Sequence, residues 1–161
     1  MLRVTLVSER ATGVEAKVLA PACGGLTACK DHGVTDSDAG LRVEVIYRVA
    51  AQDTAASLGS GDVPSLATPR ALAMLEAATV RIVESLVEPG QTSVGVEVHL
   101  QHRVATPVGR DVHACARLIR TEGRRLYFEV ELTDTDRVLA SGQVVRTLVD
   151  RARFIAGLDQ S

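Results

Sequence analysis

The chain has 161 residues, 46% of them hydrophobic and 24% charged, which is enough apolar material for one ordinary domain with a buried core. Eighteen Lys and Arg against twenty Asp and Glu leave a net charge of −2, and two Tyr and two Phe without Trp supply no base-stacking platform. No nucleic-acid partner and no anionic membrane surface is therefore expected. Cys23, Cys29 and Cys115 are odd in number and lack paired spacing, which argues against a disulfide framework and fits a reducing compartment. With no membrane-length apolar run and no signal-peptide stretch in the sequence, the expected location is cytoplasmic.

Residues 1–40 differ in character from the rest and read as an extension of unknown role, with residues 41–161 as the main domain. Within the extension Leu2, Val4 and Leu6 alternate with polar residues, residues 15–21 form a second short element, and a turn-rich run covers 31–40. From Leu41 the pattern sharpens. Val43, Val45, Tyr47 and Val49 alternate with Arg42, Glu44, Ile46 and Arg48, as in a half-buried strand. A loop with Gly59-Ser60-Gly61-Asp62 follows. Thr68-Pro69 then predicts a helix start, with the hydroxyl at the N-cap and proline at the first helical position, and the helix runs to about Val87 before Pro89-Gly90. Four strands come next, over 92–104, 110–120, 124–133 and 137–149, with turns at Thr121-Glu122-Gly123 and Asp134-Thr135-Asp136. One apolar helix on one face of a five-stranded antiparallel sheet is an α+β layer architecture, and the hotdog fold, a sheet wrapped around such a helix, is one candidate among several for this order.

Three polar residues stand out of pattern. At about 100° per residue from Arg70, Arg81, Glu84 and Glu88 share one polar stripe, whereas Glu76 falls near 240° between Val83 and Val87. A carboxylate on that apolar flank is either part of a buried ion pair or partly desolvated, and desolvation moves a carboxyl toward the range a general base needs. On the following strand Val94, Val96, Val98, Leu100, His102 and Val104 share the face expected to meet the helix, so His102 points inward and His99 outward. A lone inward histidine is a core residue by default; beside an inward carboxylate it becomes a site candidate. Thr68 lies eight residues before Glu76, where helix N–H groups favour negative charge. His113 and Cys115 share the opposite face of their strand from Val112, Ala114 and Ala116, His113 reading as exposed or at an interface and Cys115 as packing. Cys23, Cys29 and His32 lack paired metal-ligand spacing, and the Gly-rich loops lack P-loop and dinucleotide patterns, so no metal and no cofactor is expected.

The strings Gly59-Ser60-Gly61-Asp62-Val63-Pro64, Ala67-Thr68-Pro69, Met74-Leu75-Glu76, Glu88-Pro89-Gly90, Ser93-Val94-Gly95-Val96, His102 with Ala105-Thr106-Pro107, and Glu122-Gly123-Arg124-Arg125-Leu126 resemble, in order and spacing, the hotdog thioesterases related to fluoroacetyl-CoA thioesterase. The resemblance covers residues 41–154. It implies a catalytic triad of Thr68, Glu76 and His102, an acyl-CoA substrate hydrolysed without a metal, and a homodimer with each site near the subunit boundary. Gly95 matches a glycine whose backbone lies beside the thioester arm, and Arg124 and Arg125 become candidates for the CoA phosphates, against the ordinary reading of a solvated hairpin tip. Two routes are open: Glu76 attacks the carbonyl to give a mixed anhydride, or it activates a water. The chain lacks the aromatic gate of the fluoroacetyl-specific enzyme, having no Phe, Tyr or Trp between Val49 and the helix, so a more general short or medium acyl-CoA is expected. The alternatives are a non-catalytic acyl-CoA-binding module and a hotdog dehydratase or hydratase.

Overall fold

The computed structural model describes residues 7–9, 14–19, 40–135 and 137–158. The stretch after residue 40 begins with β3 (Arg42–Arg48), continues through α1 (Ala55–Leu58) and α2 (Thr68–Val83), and ends with β4 (Gln91–His102), β5 (Asp111–Glu122), β6 (Arg125–Thr133), β7 (Val138–Asp150) and α3 (Arg151–Leu158). Before it, β1 (Val7–Glu9) and β2 (Val14–Leu19) fall in the first forty residues, and β2 pairs antiparallel with β3. The sheet order is β1-β2-β3-β5-β6-β7-β4. Five of these strands are the expected antiparallel set, and they pack on α2 as the hotdog fold does. The two short strands add to the β3 edge, while Leu2, Val4, Leu6, Cys23, Cys29 and His32 lie outside the described residues.

Alternation through β3 and the residue just after it places Val43, Val45, Tyr47 and Val49 on the helix side, where each is 9% exposed or less. They join Ala114, Leu118, Phe128, Leu132 and Val144 against Ala71, Met74, Leu75, Ala78 and Ile82 of α2. Burying a side chain of the size of Leu or Phe contributes roughly 1.5–3 kcal/mol, so this apolar stripe, more than helix propensity, fixes α2 on the sheet. Phe128 is fully buried at the centre. Two hairpins join the last three strands; Gly123, at φ +58°, and Arg124 alone make the β5–β6 turn, so Thr121 and Glu122 belong to the strand.

Three expectations shift. The helix stops at Val83, not Val87: Ser85 and Leu86 donate to the carbonyls three residues back, tightening the chain into a turn before Pro89. The loop before α2 holds a 3₁₀ turn at Ala51–Asp53 as well as α1. Third, β4 does not keep one parity. Gly95 pairs with Arg146 and Glu97 with Val145, leaving Val96 as an extra bulge residue. Ser93 and Gly95 therefore face the helix before the bulge, and Val98, Leu100 and His102 after it. Val94 and Val96 do not share the inward face, and Val96 is 52% exposed.

Candidate active site

The helix-facing side of β4 carries two clusters. At its C-terminal end, the hydroxyl of Thr68 meets His102 Nδ1 at 3.0 Å. Backbone pairing sets this contact: Leu66 N–H donates to Thr106 O at 2.8 Å, and Ser65 bridges to Pro107. Thr68 and His102 thus stand two and four residues from one main-chain bond. Thr68 was expected to cap the helix, but Ala67 is the N-cap and Thr68 is already helical. The Ala67 N–H bonds to Asp53 O, which moves the helix start one residue back and leaves the threonine hydroxyl free for the imidazole. Burial holds the His102 pKa below its ordinary 6.5, with a backbone hydrogen bond at Val104 opposing. Its Nε2 is buried without a partner in the described structure.

The second cluster surrounds Glu76, which stands mid-helix with its side chain 35% exposed. Its Oε1 lies where a side chain on Gly95 would go: a Cβ there would come within 2.6 Å. Arg146 Nη1 reaches the same oxygen at 3.4 Å. The guanidinium is fixed from behind by Ser93 Oγ at 2.9 Å and Ser93 O at 3.1 Å, with Thr79 Oγ1 at 3.5 Å. Arg146 is 7% exposed, and this burial lowers its pKa while the Glu76 charge opposes the shift. The ion pair left open by the helix periodicity is therefore present, and it sits on the strand glycine.

The structure joins Thr68 to His102 and Glu76 to Gly95, but it does not join the two pairs. Seven residues of β4 separate Gly95 from His102, about 20 Å along a strand. Arg124 and Arg125 are exposed at the β5–β6 hairpin tip; Arg125 pairs with Thr147, seven residues along β7 from the Ala140 that faces His102. His99 is outward as expected, on the face opposite the helix. There a cavity of about 420 Å³ is lined by Arg42, His99, Cys115, Arg117, Glu129 and Glu131 among others. Its Arg117 is already paired with Glu129 at 2.5 Å. His113, expected to be exposed or at an interface, is half-buried and bonds Glu44 at 3.2 Å, and Cys115 is buried beside that carboxylate. No group of three metal-ligating side chains occurs among the described residues, and none of their helices is long and apolar enough to cross a membrane.

Arg146 was missed in the sequence. It shares parity with Val144 and Leu148, so the criterion that marked Glu76, a charge on an apolar face, would have found it.

Residues 49–152 match the family described as fluoroacetyl-CoA-specific thioesterase. The fluoroacetyl-CoA thioesterase of Streptantibioticus cattleyicolor is 34% identical over 94 residues, which are 58% of this chain and 68% of the relative. A solved structure of a fluoroacetyl-CoA thioesterase superposes with a TM-score of 0.73 at 28% identity, covering 79% of this chain and 98% of that one. A hot-dog-like protein from Thermanaerovibrio acidaminovorans gives 0.70 at 21% identity, covering 76% and 90%, a likeness of fold.

Proposed function

The chain belongs to the fluoroacetyl-CoA-specific thioesterase family and is a thioester hydrolase, and we propose that Glu76, His102 and Thr68 carry its hydrolysis of an acyl-CoA to free acid and coenzyme A. The observation that supports Glu76 most is its carboxylate lying on the bare Cα of Gly95. The missing side chain lets the anionic oxygen lie against the strand backbone, beside the glycine that the family resemblance places next to the thioester arm.

In one route a Glu76 oxygen attacks the carbonyl carbon, the C–S bond breaks, and water cleaves the mixed anhydride. In the other, Glu76 takes a proton from a water that attacks directly. Arg146 anchors the carboxylate in either case. When the Thr68 hydroxyl donates to Nδ1, the neutral imidazole carries its proton on Nε2, the nitrogen without a partner. Gly95 and His102 stand about 20 Å apart along β4 in one chain, so this proton reaches the developing oxyanion or the departing thiolate at Glu76 where a second copy lays its own β4 alongside. The same 3.0 Å contact favours a second reading, in which His102 Nδ1 takes the Thr68 proton and the threonine oxygen attacks. An acyl group trapped on Thr68, and not on Glu76, would select it.

We place the substrate at the boundary of a homodimer. β4 is the last strand of the sheet, twelve residues long, with Val96 and Val98 exposed at 52% and 40%. A long apolar edge is an incomplete sheet, and a second copy pairing there would cover it. Gly95 and His102 both lie on that strand, so each site then borders the partner. Arg124 and Arg125 are the proposed contacts for the CoA phosphates, and the loop without aromatic side chains suits a general short or medium acyl group.

Free-thiol release from a panel of acyl-CoAs, wild type beside Glu76→Gln, tests the proposal. A folded variant losing about 10²–10⁴-fold in kcat is the expected result. Near wild-type turnover in a folded Glu76→Gln protein would remove Glu76 from the mechanism. Binding without release from any substrate, with wild type folded, would favour a non-catalytic module.

A further inference from the structure

The 3₁₀ turn at Ala51–Asp53 contains a buried carboxylate that the chemistry above does not use. Asp53 is 5% exposed and stands between the end of β3 and the start of α2. Its Oδ2 accepts the Ala50 N–H at 2.9 Å, and its Oδ1 accepts Arg70 Nε at 2.7 Å. Its backbone oxygen accepts the Ala67 N–H at 2.9 Å. One residue thus grips the chain on both sides of Thr68, by main chain at Ala67 and by side chain at Arg70. Arg70 is steadied in turn by the Tyr47 ring, 5.8 Å from the guanidinium carbon.

We propose that Asp53 is a positioning residue: its ion pair with Arg70 fixes the first turn of α2 so that the Thr68 hydroxyl stays on His102 Nδ1. The inference rests on the reading that Thr68 and His102 take part in hydrolysis. Its physical basis is the capping vacancy at this helix. Ala67 supplies no side-chain cap, so the first turn lacks the local lock that a Ser, Thr or Asp would give. The Asp53 carboxylate, arriving from the preceding turn, replaces that lock from outside the helix. The link is a charge-assisted bond of 2.7 Å to a buried acceptor, stronger than a neutral hydrogen bond would be. Thr68 needs stiffness because a hydroxyl displaced by even 1 Å loses its alignment on the imidazole.

The test is steady-state thiol release from the best acyl-CoA, with melting temperatures, for Asp53→Asn, Arg70→Met, Arg70→Lys, Thr68→Ala and the Asp53→Asn/Thr68→Ala double variant. Asp53→Asn and Arg70→Met are each expected to lower kcat about tenfold with KM changed less than about twofold, a split that general loosening of the fold would not produce. Arg70→Lys should recover part of the loss by restoring a cation. In the Thr68→Ala background Asp53→Asn should have no further effect, because the hydroxyl it positions is gone. Should Asp53→Asn fail to fold, the Arg70 pair of variants decides alone. Wild-type kcat in folded Arg70→Met, or an equal Asp53→Asn loss with and without Thr68, would overturn the proposal. Wild-type activity in Thr68→Ala would instead overturn the triad reading, and the proposal with it.

Discussion

At the His102 end of β4 the backbone does the holding. The 65–67 and 105–107 segments pair, Asp53 fixes Ala67, and the contact between threonine and imidazole follows from where the chain runs. At the Gly95 end the holding is done by side chains, with Arg146 clamped by Ser93 and Thr79 and reaching Glu76 across space left by a glycine. The first arrangement is neutral, with Thr68 exposed and His102 half-buried; the second is charged, with Arg146 buried and the Glu76 side chain 35% exposed. A buried guanidinium needs partners to offset its lost hydration, whereas the carboxylate that is to react keeps access to substrate and water. Two kinds of variant should separate these ends.

The largest effect belongs to the charged end. Gly95→Ala puts a Cβ 2.6 Å from Glu76 Oε1, and the atom that must give way is the tip of a flexible side chain. Folding should be nearly unchanged while kcat falls about 10²-fold, since the carboxylate is pushed off its position. Gly142→Ala makes the contrast. Its Cβ would strike the main-chain oxygen of His99, which cannot rotate away, so a lowered melting temperature is expected there instead. Circular dichroism melts beside thiol-release rates for the two variants check both halves. Equal stability losses would mean that Glu76 is as rigidly held as backbone.

Arg146→Met comes next. It leaves Glu76 without its cation and Ser93 Oγ without its donor, with the Glu76 side chain still 35% exposed to water. A stability loss of about 1–3 kcal/mol is expected, below that of a fully buried pair broken on one side. About tenfold slower turnover should accompany it, read from urea midpoints and kcat on the same preparation. A loss of stability without slower turnover would assign Arg146 to the fold alone.

How much of this was legible depends on which residues set each feature. Periodicity in 42–49 and 68–83 placed the first main strand, the helix and their buried faces, because side-chain burial repeats along one element. Glu76 and His102 were found as exceptions to those repeats. The bulge at Val96 was not legible: Val94, Val96 and Val98 make an unbroken apolar alternation, and the extra residue appears only when Glu97 takes Val145 as its partner. Val94 and Val96 were therefore assigned to the wrong face. Asp53 carried no signal either, since its role lies in bonds to Ala50, Ala67 and Arg70, which only the folded chain brings around one carboxylate. The Thr68 cap failed for the same reason: a local rule gave way to a main-chain bond made from a distant turn.

The neutral end predicts a pH effect. His102 is held below its ordinary 6.5 by burial, so it remains uncharged as pH falls through 6.5 in the folded protein. The unfolded chain takes up that proton first, and the folded state loses stability as pH drops from 6.5 to the lower folded value; above 6.5 the contribution is fully present. His102→Gln should flatten this part of the stability curve. The acidic limb of kcat should also lie below 6.5 in wild type if the neutral imidazole is the working form. A limb at or above 6.5 would point to another group.

The smallest effect is expected at the hairpin tip, away from both clusters. Arg124 and Arg125 are exposed, so each loses much of its Coulomb attraction to solvent and salt. Arg124→Ala and Arg125→Ala should each raise KM about twofold at low salt, with kcat unchanged and the difference vanishing as ionic strength rises. The control is a short acyl thioester of pantetheine, which carries no nucleotide phosphate. If the two arginines meet the CoA phosphates, its KM will be the same in wild type and both variants. A rise in KM for the pantetheine thioester as well would mean that the tip acts on the acyl end through the β6–β7 pairing, where Leu126 lies opposite Arg146.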